Sequence, residues 1–170
     1  MKKLAVFVLV ISVISGAVFG QGQEFTFRGL PWGATQEQVI AVLGQPDDQL
    51  VVVGMLNYSN IEIAGYNAYL QLTGTSPIFR LQEATYLIRS TDDEVEEIYM
   101  DILIKLSDLF GMPKFNNDRT ITYWVVARTL IELWYTPSWN LSLPNGTTSR
   151  MPGGVTIRYQ SPEINRYGNL

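Results

Sequence analysis

The chain has 170 residues without a single Cys or His, and its 12 Lys and Arg against 16 Asp and Glu give a net charge of −4. Without Cys and His, disulfides, His-dependent nucleophilic triads and the usual zinc and haem sites are excluded. The acidic balance and the scattered Arg residues leave no basic footprint for nucleic acid or an anionic membrane surface.

The first 20 residues have the layout of a secretory signal peptide. Lys2 and Lys3 precede the apolar run "LAVFVLVISVISGAVF", which ends in small residues and turns polar at "GQGQE". The run is shorter than the ~20 residues that a spanning helix needs, so we expect no membrane insertion after signal removal. The sequence thus predicts a periplasmic or secreted protein.

The predicted cleavage site lies before Gln21, with Val18 and Gly20 at the −3 and −1 positions, and a cut after Ala17 is the alternative. Since no Cys is present, lipidation at this site is excluded. Loss of two lysines lowers the net charge to −6. Residues 21–170 have the length of one ordinary domain, which must be stabilised by its core alone.

The first elements of the mature chain are a short strand and a capped helix. Glu24–Leu30 alternates Phe with polar residues, which indicates a strand with one wet face. Thr35 and Gln38 have the spacing of a capping box. Gly44 and Pro46 then end the helix, because Gly adopts the left-handed conformation and Pro cannot continue a helix.

Three strands and a longer helix follow. The predicted strands are Leu50–Ser59, Tyr66–Gly74 and Arg80–Arg89. Ser90 or Thr91 is expected to cap the second helix, and acidic residues fill its first two turns, where they suit the positive end of the helix dipole. We expect a solvated helix start rather than a cation site, because the calcium-loop spacing is absent.

Strands return after the second helix. Thr120–Val126 and Thr129–Thr136 are separated by only Ala127-Arg128, which predicts a hairpin. Ser138–Gly154 is rich in Pro, Gly, Asn and Ser and is expected to be a long loop. Val155–Gln160 alternates as a final strand.

The two halves of the chain resemble each other in element order. When Gly44 is aligned with Gly111, Tyr58 and Trp124 fall near the same place in the following strand. We therefore predict an α+β two-layer fold made of two helix-plus-antiparallel-strands repeats, at about residues 24–89 and 90–162, in a single domain. The repeats are expected to form one sheet with both helices on one face, leaving the other face open.

The stretch "WGATQEQVIAVLGQP" resembles a Gly-x-Thr, Val, Leu-Gly-x-Pro pattern found in two groups of exported proteins. One group is the outer-membrane assembly lipoproteins of the SmpA/OmlA type, and the other is the tandem-repeat beta-lactamase inhibitor proteins. The resemblance implies the double helix-plus-sheet fold and an exported, non-catalytic binding role. The chain departs from the pattern in lacking a lipid-bearing Cys and in its longer second helix without the Gly-x-Thr lead-in.

The predicted function is protein binding or envelope assembly, with another envelope or extracellular protein as the partner. Strand alternation places Arg158, Glu132 and Trp134 outward, with Tyr69 on the same face, and Trp139 in the long loop is the further aromatic candidate. Such Trp, Tyr and Arg side chains are typical of interaction surfaces. The alternative is that the Trp residues fold over the sheet edge as peripheral core. We predict no catalytic residue, no metal and no cofactor.

Two other functions remain as alternatives. A glycan hydrolase would need paired carboxylates, for which Glu62, Glu83 and Glu132 are the candidates. Each of these is more simply a partner for an Arg, such as Glu132 for Arg158 on a neighbouring strand. A small-ligand carrier would enclose an apolar pocket between the helices and the sheet.

Overall fold

A computed structural model describes residues 24–50, 53–90, 94–142 and 146–164, and the predicted signal peptide, residues 1–20, lies outside them. The helices are α1 (Gln36–Leu43) and α2 (Val95–Phe110), and the strands are β1 (Thr26–Phe27), β2 (Leu30–Pro31), β3 (Asp48–Leu50), β4 (Met55–Ile63), β5 (Tyr66–Gly74), β6 (Leu81–Ser90), β7 (Lys114–Phe115), β8 (Thr122–Val126), β9 (Thr129–Thr136), β10 (Trp139–Ser142), β11 (Thr148–Met151) and β12 (Gly153–Gln160).

Eight strands form one antiparallel sheet in the order β3-β4-β5-β6-β12-β9-β8-β7, and β1-β2 and β10-β11 form two small hairpins. One half of the large sheet consists of β3 to β6, which precede α2, and the other half consists of β12, β9, β8 and β7, which follow it. The halves meet where β6 and β12 pair from Ser90↔Gly153 to Glu83↔Gln160. The described residues are thus mostly strand, with a large antiparallel sheet.

Helix α1 has the predicted caps. The Thr35 hydroxyl accepts a hydrogen bond from the Gln38 backbone N–H at 3.3 Å, and the Gln38 side chain accepts one from the Thr35 N–H at 2.8 Å. Gly44 ends the helix with φ +84° and donates its N–H to the Ile40 carbonyl. The capping box and the closing Gly are both confirmed.

Helix α2 begins later than predicted. Glu94 is its N-cap and makes no side-chain capping hydrogen bond, while Thr91 lies outside the described residues. Ser90 is the last residue of β6 and pairs with Gly153, so the prediction that Ser90 caps the helix was wrong. Pairing across the sheet outweighs the local preference of Ser for a helix start. The helix contacts β9 and β12, and its buried residues are Val95, Ile102 and Leu106.

Two other predictions need correction. The strand predicted over Leu50–Ser59 is split, because Gly54 at φ +66° lets β3 turn back and pair with β4. The loop predicted over Ser138–Gly154 contains the hairpin β10-β11, paired from Trp139↔Met151 to Ser142↔Thr148. The hairpin predicted at Ala127-Arg128 is confirmed, and both turn residues have positive φ.

One face of the large sheet carries the core. Its buried side chains come from five neighbouring strands and include Leu70, Leu72, Ala84, Tyr86, Ile157, Tyr159, Ile131, Leu133 and Trp124. The hairpin β1-β2 packs on this face, where the Phe27 ring lies 5.8 Å from the Tyr86 ring and 5.5 Å from the Tyr159 ring. The segment predicted as one strand is therefore the hairpin β1-β2, and its predicted alternation is confirmed, since Phe25 and Phe27 are buried while Thr26 and Arg28 are exposed.

Candidate binding face

The second face of the sheet is lined by a regular array of side chains, which we call the polar face. Strand register places them in three rows across β5, β6, β12 and β9. The first row, named the aromatic row, is Tyr69, Leu87, Thr156 and Trp134; the second is Gln71, Thr85, Arg158 and Glu132; the third is Thr73, Glu83, Gln160 and Leu130. The same face of the sheet thus carries Tyr69, Trp134, Arg158 and Glu132, as strand alternation predicted.

The aromatic row has an aromatic side chain at each end. Tyr69 is 39% exposed and Trp134 is half-buried. Three strand spacings separate them, which is about 14 Å. Burial is the main cause that raises the pKa of Tyr69 above its ordinary value, with Asp48 adding to the rise and Arg89 opposing it.

Arg158 and Glu132 form an ion pair at the centre of the polar face. The Arg158 Nε and Nη2 atoms lie 2.7 Å and 2.5 Å from Glu132 Oε2, and the guanidinium carbon lies 5.1 Å from the centre of the Trp134 ring. The predicted contact between Arg158 and Glu132 is confirmed. The guanidinium is thereby held between a carboxylate and an aromatic ring.

Glu132 differs from the prediction in its accessibility. Its side chain is 2% exposed, whereas that of Arg158 is 31% exposed. Leu130, two residues earlier on β9, is fully buried on the same face. Glu132 is therefore placed to orient Arg158 rather than to be a contact residue itself.

Four further polar side chains of the face also make hydrogen bonds. Gln160 donates to Glu83 at 2.8 Å and Thr85 donates to the same carboxylate at 3.3 Å. Gln71 approaches Asn57 on β4 at 3.4 Å. These contacts fix the side chains in place, so the face offers a pre-organised set of hydrogen-bonding groups.

Trp139 does not lie on the polar face. It is 51% exposed in β10, outside the eight-stranded sheet. Ser138 just before it accepts a hydrogen bond from Arg150 at 3.0 Å. The structure thus brings together four of the five predicted binding residues and leaves Trp139 on a separate hairpin.

The structure does not bring the three candidate carboxylates together. Glu62, Glu83 and Glu132 lie on β4, β6 and β9, and no two of these strands are neighbours in the sheet. Glu83 and Glu132 are each hydrogen-bonded to a side chain of β12. In the described part of the chain, no group of three or more Asp and Glu side chains is placed to hold a metal ion.

A shallow cleft lies away from the polar face, near the start of α2. Glu94, Glu97 and Asp101 line it together with Tyr66. Tyr66 donates its hydroxyl to Asp101 at 3.0 Å, and Lys105 donates to the same carboxylate at 2.6 Å. The Lys105 hydrogen bond is the main cause that lowers the pKa of Asp101. The acidic side of the cleft is therefore partly neutralised by the helix itself.

Sequence reasoning missed Leu87, whereas alternation along β12 had predicted that Thr156 points outward. Leu87 and Thr156 complete the aromatic row between Tyr69 and Trp134. The signal was available in the alternation of β6, because Leu87 lies between the buried residues Tyr86 and Ile88 and must therefore point to the other face. Only the pairing of β6 with β12 places Leu87 and Thr156 side by side.

No protein-family model, curated protein or solved structure gives a match to this chain. Within the residues described, neither helix has the length and apolar character needed to cross a membrane.

Proposed function

We propose that the protein is an exported, non-catalytic module that binds another envelope or extracellular protein through its polar face. The observation that carries the proposal is the Arg158 guanidinium, paired with a buried carboxylate and stacked on Trp134, in a face that also presents an exposed Tyr69. Trp, Tyr and Arg dominate the energetics of protein interfaces. Ordered side chains lose little entropy on binding, which favours affinity.

Each predicted residue has a role in the proposal. Tyr69, Trp134 and Arg158 contact the partner, and Glu132 is a positioning residue beneath Arg158. Trp139 makes a separate contact from the hairpin β10-β11, where an aromatic side chain is presented to solvent. Export is proposed from residues 1–20, which place the partner in the periplasm or outside the cell.

We also propose that the fold arose from two repeats, as the resemblance to the tandem-repeat inhibitors and the SmpA/OmlA-type proteins implies. The last strand of each half, β6 and β12, lies at the centre of the sheet, and the remaining strands follow outward in the same sequence on each side. Tyr58 and Trp124 each donate a hydrogen bond to the Gly that ends the preceding helix. Both are buried members of the core, which supports helices on one face.

The experiment is a pull-down from envelope extract with the mature protein and with a Trp134→Ala, Trp139→Ala double variant. The control is Tyr135→Ser, because Tyr135 is 38% exposed but belongs to the opposite face of β9, where it pairs with the buried Val155. The proposal expects one or a few proteins that the wild type and the control retain and the double variant loses. Equal recovery by all three proteins would contradict it.

A further inference from the structure

We infer that the outer edge of β10 binds an extended segment of the partner protein, which adds to the hairpin β10-β11 as a third strand. The inference rests on the proposed function and specifies the separate contact that Trp139 makes. Three observations carry it. The hairpin extends beyond the large sheet, the outer edge of β10 has main-chain groups without a partner, and β10 lacks the side chains that protect the other strand edges.

The hairpin continues the pair of strands β9 and β12. Thr136↔Gly154 is the last pair of these strands in the large sheet, and Trp139↔Met151 is the first pair of the hairpin. Two residues separate the two pairs on each strand, so the register is unbroken. The strands that flank β9 and β12 in the large sheet, β8 and β6, pair with neither β10 nor β11. Each strand of the hairpin therefore has an open outer edge.

Main-chain groups on the outer edge of β10 have no partner within the described part of the chain. In an antiparallel ladder, every second residue directs its N–H and C=O groups away from the paired strand. β10 pairs with β11 from Trp139 to Ser142, and among the described residues no backbone hydrogen bond outside this ladder involves it. Donors and acceptors at the spacing of a strand match the main chain of another extended segment.

β10 also lacks the side chains that prevent strand addition at an exposed edge. Proteins protect such edges with charged residues, Pro and very short strands. β3 carries Asp48, β7 is two residues long and contains Lys114, and β11 contains Arg150. The four residues of β10, Trp139–Ser142, are uncharged and include no Pro. The composition of β10 therefore permits the addition that these three other edges oppose.

The side chains of β10 specify the segment further. Strand alternation places Trp139 and Leu141 on one side of the hairpin and Asn140 and Ser142 on the other. Trp139 is 51% exposed and Leu141 is half-buried, while the two polar side chains are exposed. The side chains of an added strand contact those of its neighbour on the same side. We therefore expect a segment that alternates apolar and polar residues, with its apolar side chains beside Trp139.

The test uses a random peptide library displayed on phage, selected on the mature protein. An Asn140→Lys, Ser142→Lys double variant places two cations on β10. The matched control is Thr148→Lys, because Thr148 and Arg150 pair with Ser142 and Asn140, so the control has two cations at the corresponding positions of β11. Thermal unfolding verifies that each protein is folded, and hydrogen exchange by NMR follows each main-chain N–H group of β10.

We expect the enriched peptides to alternate apolar and polar residues and to bind the wild type and the control. Their affinity for the double variant should be at least about tenfold lower, which is about the value of one or two main-chain hydrogen bonds. Methylation of single peptide N–H groups should weaken binding at every second position only, because alternate N–H groups face β10. The peptide should also slow exchange at every second N–H group of β10.

Equal binding by the double variant, methylation effects that do not alternate along the peptide, or no enrichment would each overturn the inference. Exchange at the outer N–H groups of β10 that slows as the concentration of the purified protein rises would show that a second copy occupies the edge. That result would also overturn the inference.

These outcomes are separable from the failure of the proposed function. If the pull-down partner depends on Trp134 and Trp139 but binds the Asn140→Lys, Ser142→Lys variant unchanged, the proposed function stands and the inference fails. If the pull-down recovers nothing that depends on Trp134 and Trp139, the proposed function fails first.

Discussion

The indole Nε1 of Trp124 donates a hydrogen bond of 2.8 Å to the carbonyl of Gly111, the residue that ends α2. Tyr58 makes the corresponding contact in the first half, where its hydroxyl donates to the carbonyl of Gly44 at 3.3 Å. In both halves a buried aromatic side chain of the sheet holds the end of a helix. A helix as short as α1 needs such support, since short helices are marginal in water without packing.

Replacing Trp124 by Phe is expected to lower the free energy of unfolding by about 1–3 kcal/mol, because a hydrogen bond and buried volume are lost together. Tyr58→Phe should cost about 0.5–1 kcal/mol, since it removes only the longer hydrogen bond. Urea unfolding measures both. Trp139→Phe, at a side chain that is 51% exposed, is the control and should change little. A Trp124→Phe variant as stable as the control would contradict the role assigned to this contact.

Alanine substitutions at Gly54 and Gly65 distinguish the cost of backbone strain from the cost of a steric clash. A Cβ atom at Gly54 would lie 2.6 Å from the Gly74 carbonyl oxygen, and φ there is +66°. Gly65 has φ +88° and open space around the same atom. Gly65→Ala should therefore cost about 1–2 kcal/mol from strain alone. Gly54→Ala should cost about 1–3 kcal/mol more, measured by thermal unfolding. Equal costs would show that the turn between β3 and β4 can relax.

Removing one partner of the ion pair on the polar face should destabilise the protein more than replacing both partners by apolar residues. Arg158→Met leaves the buried Glu132 carboxylate without its cation, and we expect a loss of about 2–3 kcal/mol, at the low end for a buried pair because Arg158 is partly exposed. The Glu132→Met, Arg158→Met double variant should recover at least half of that loss. A double-mutant cycle by urea unfolding gives the coupling. Additive effects would mean that the pair does not hold Arg158 in place.

Buried tyrosines make the fold sensitive to alkali. Burial raises the pKa of Tyr159 above its ordinary value of 10.0, with Tyr86 adding to the rise and Arg28 opposing it. Burial likewise raises the pKa of Tyr86, again against the effect of Arg28. Above about pH 10 the unfolded chain releases these protons while the native protein keeps them. Stability should therefore be unaffected by these groups below about pH 10 and fall above it by up to about 1.4 kcal/mol per pH unit for each tyrosine.

Tyr159→Phe checks this pH dependence. Below about pH 10, the free energy of unfolding of the variant should not depend on tyrosine ionisation. Above about pH 10, it should fall less steeply than that of the wild type, because only Tyr86 of the two tyrosines remains to lose a proton on unfolding. Tyr135→Phe, on an exposed side chain, is the control. Identical alkaline limbs for Tyr159→Phe and the wild type would exclude Tyr159 as a source of the decline.

Local signals in the sequence predicted the elements that local interactions define. The caps of α1 at Thr35 and Gly44 were correct, because capping depends on residues within one turn. The bounds of β5 at Tyr66 and Gly74 were also correct. The facing of Arg158 and Glu132 followed from alternation, which is fixed by strand geometry.

Long-range pairing explains what the sequence did not reveal. Ser90 has the chemistry of a helix cap, yet its pairing with Gly153 keeps it in β6. The segment that contains Trp139 has a composition typical of loops, and it forms the strand β10 only because it pairs with β11. Burial of Glu132 depends on neighbours from other strands, which alternation within β9 does not report.

Hydroxyl-radical footprinting of the mature protein in envelope extract, compared with buffer, tests the polar face most directly. We predict that Tyr69, Trp134 and Trp139 become protected while Tyr135 on the opposite face reacts at the same rate. Protection of Tyr135 with unchanged reactivity of Tyr69 and Trp134 would contradict it.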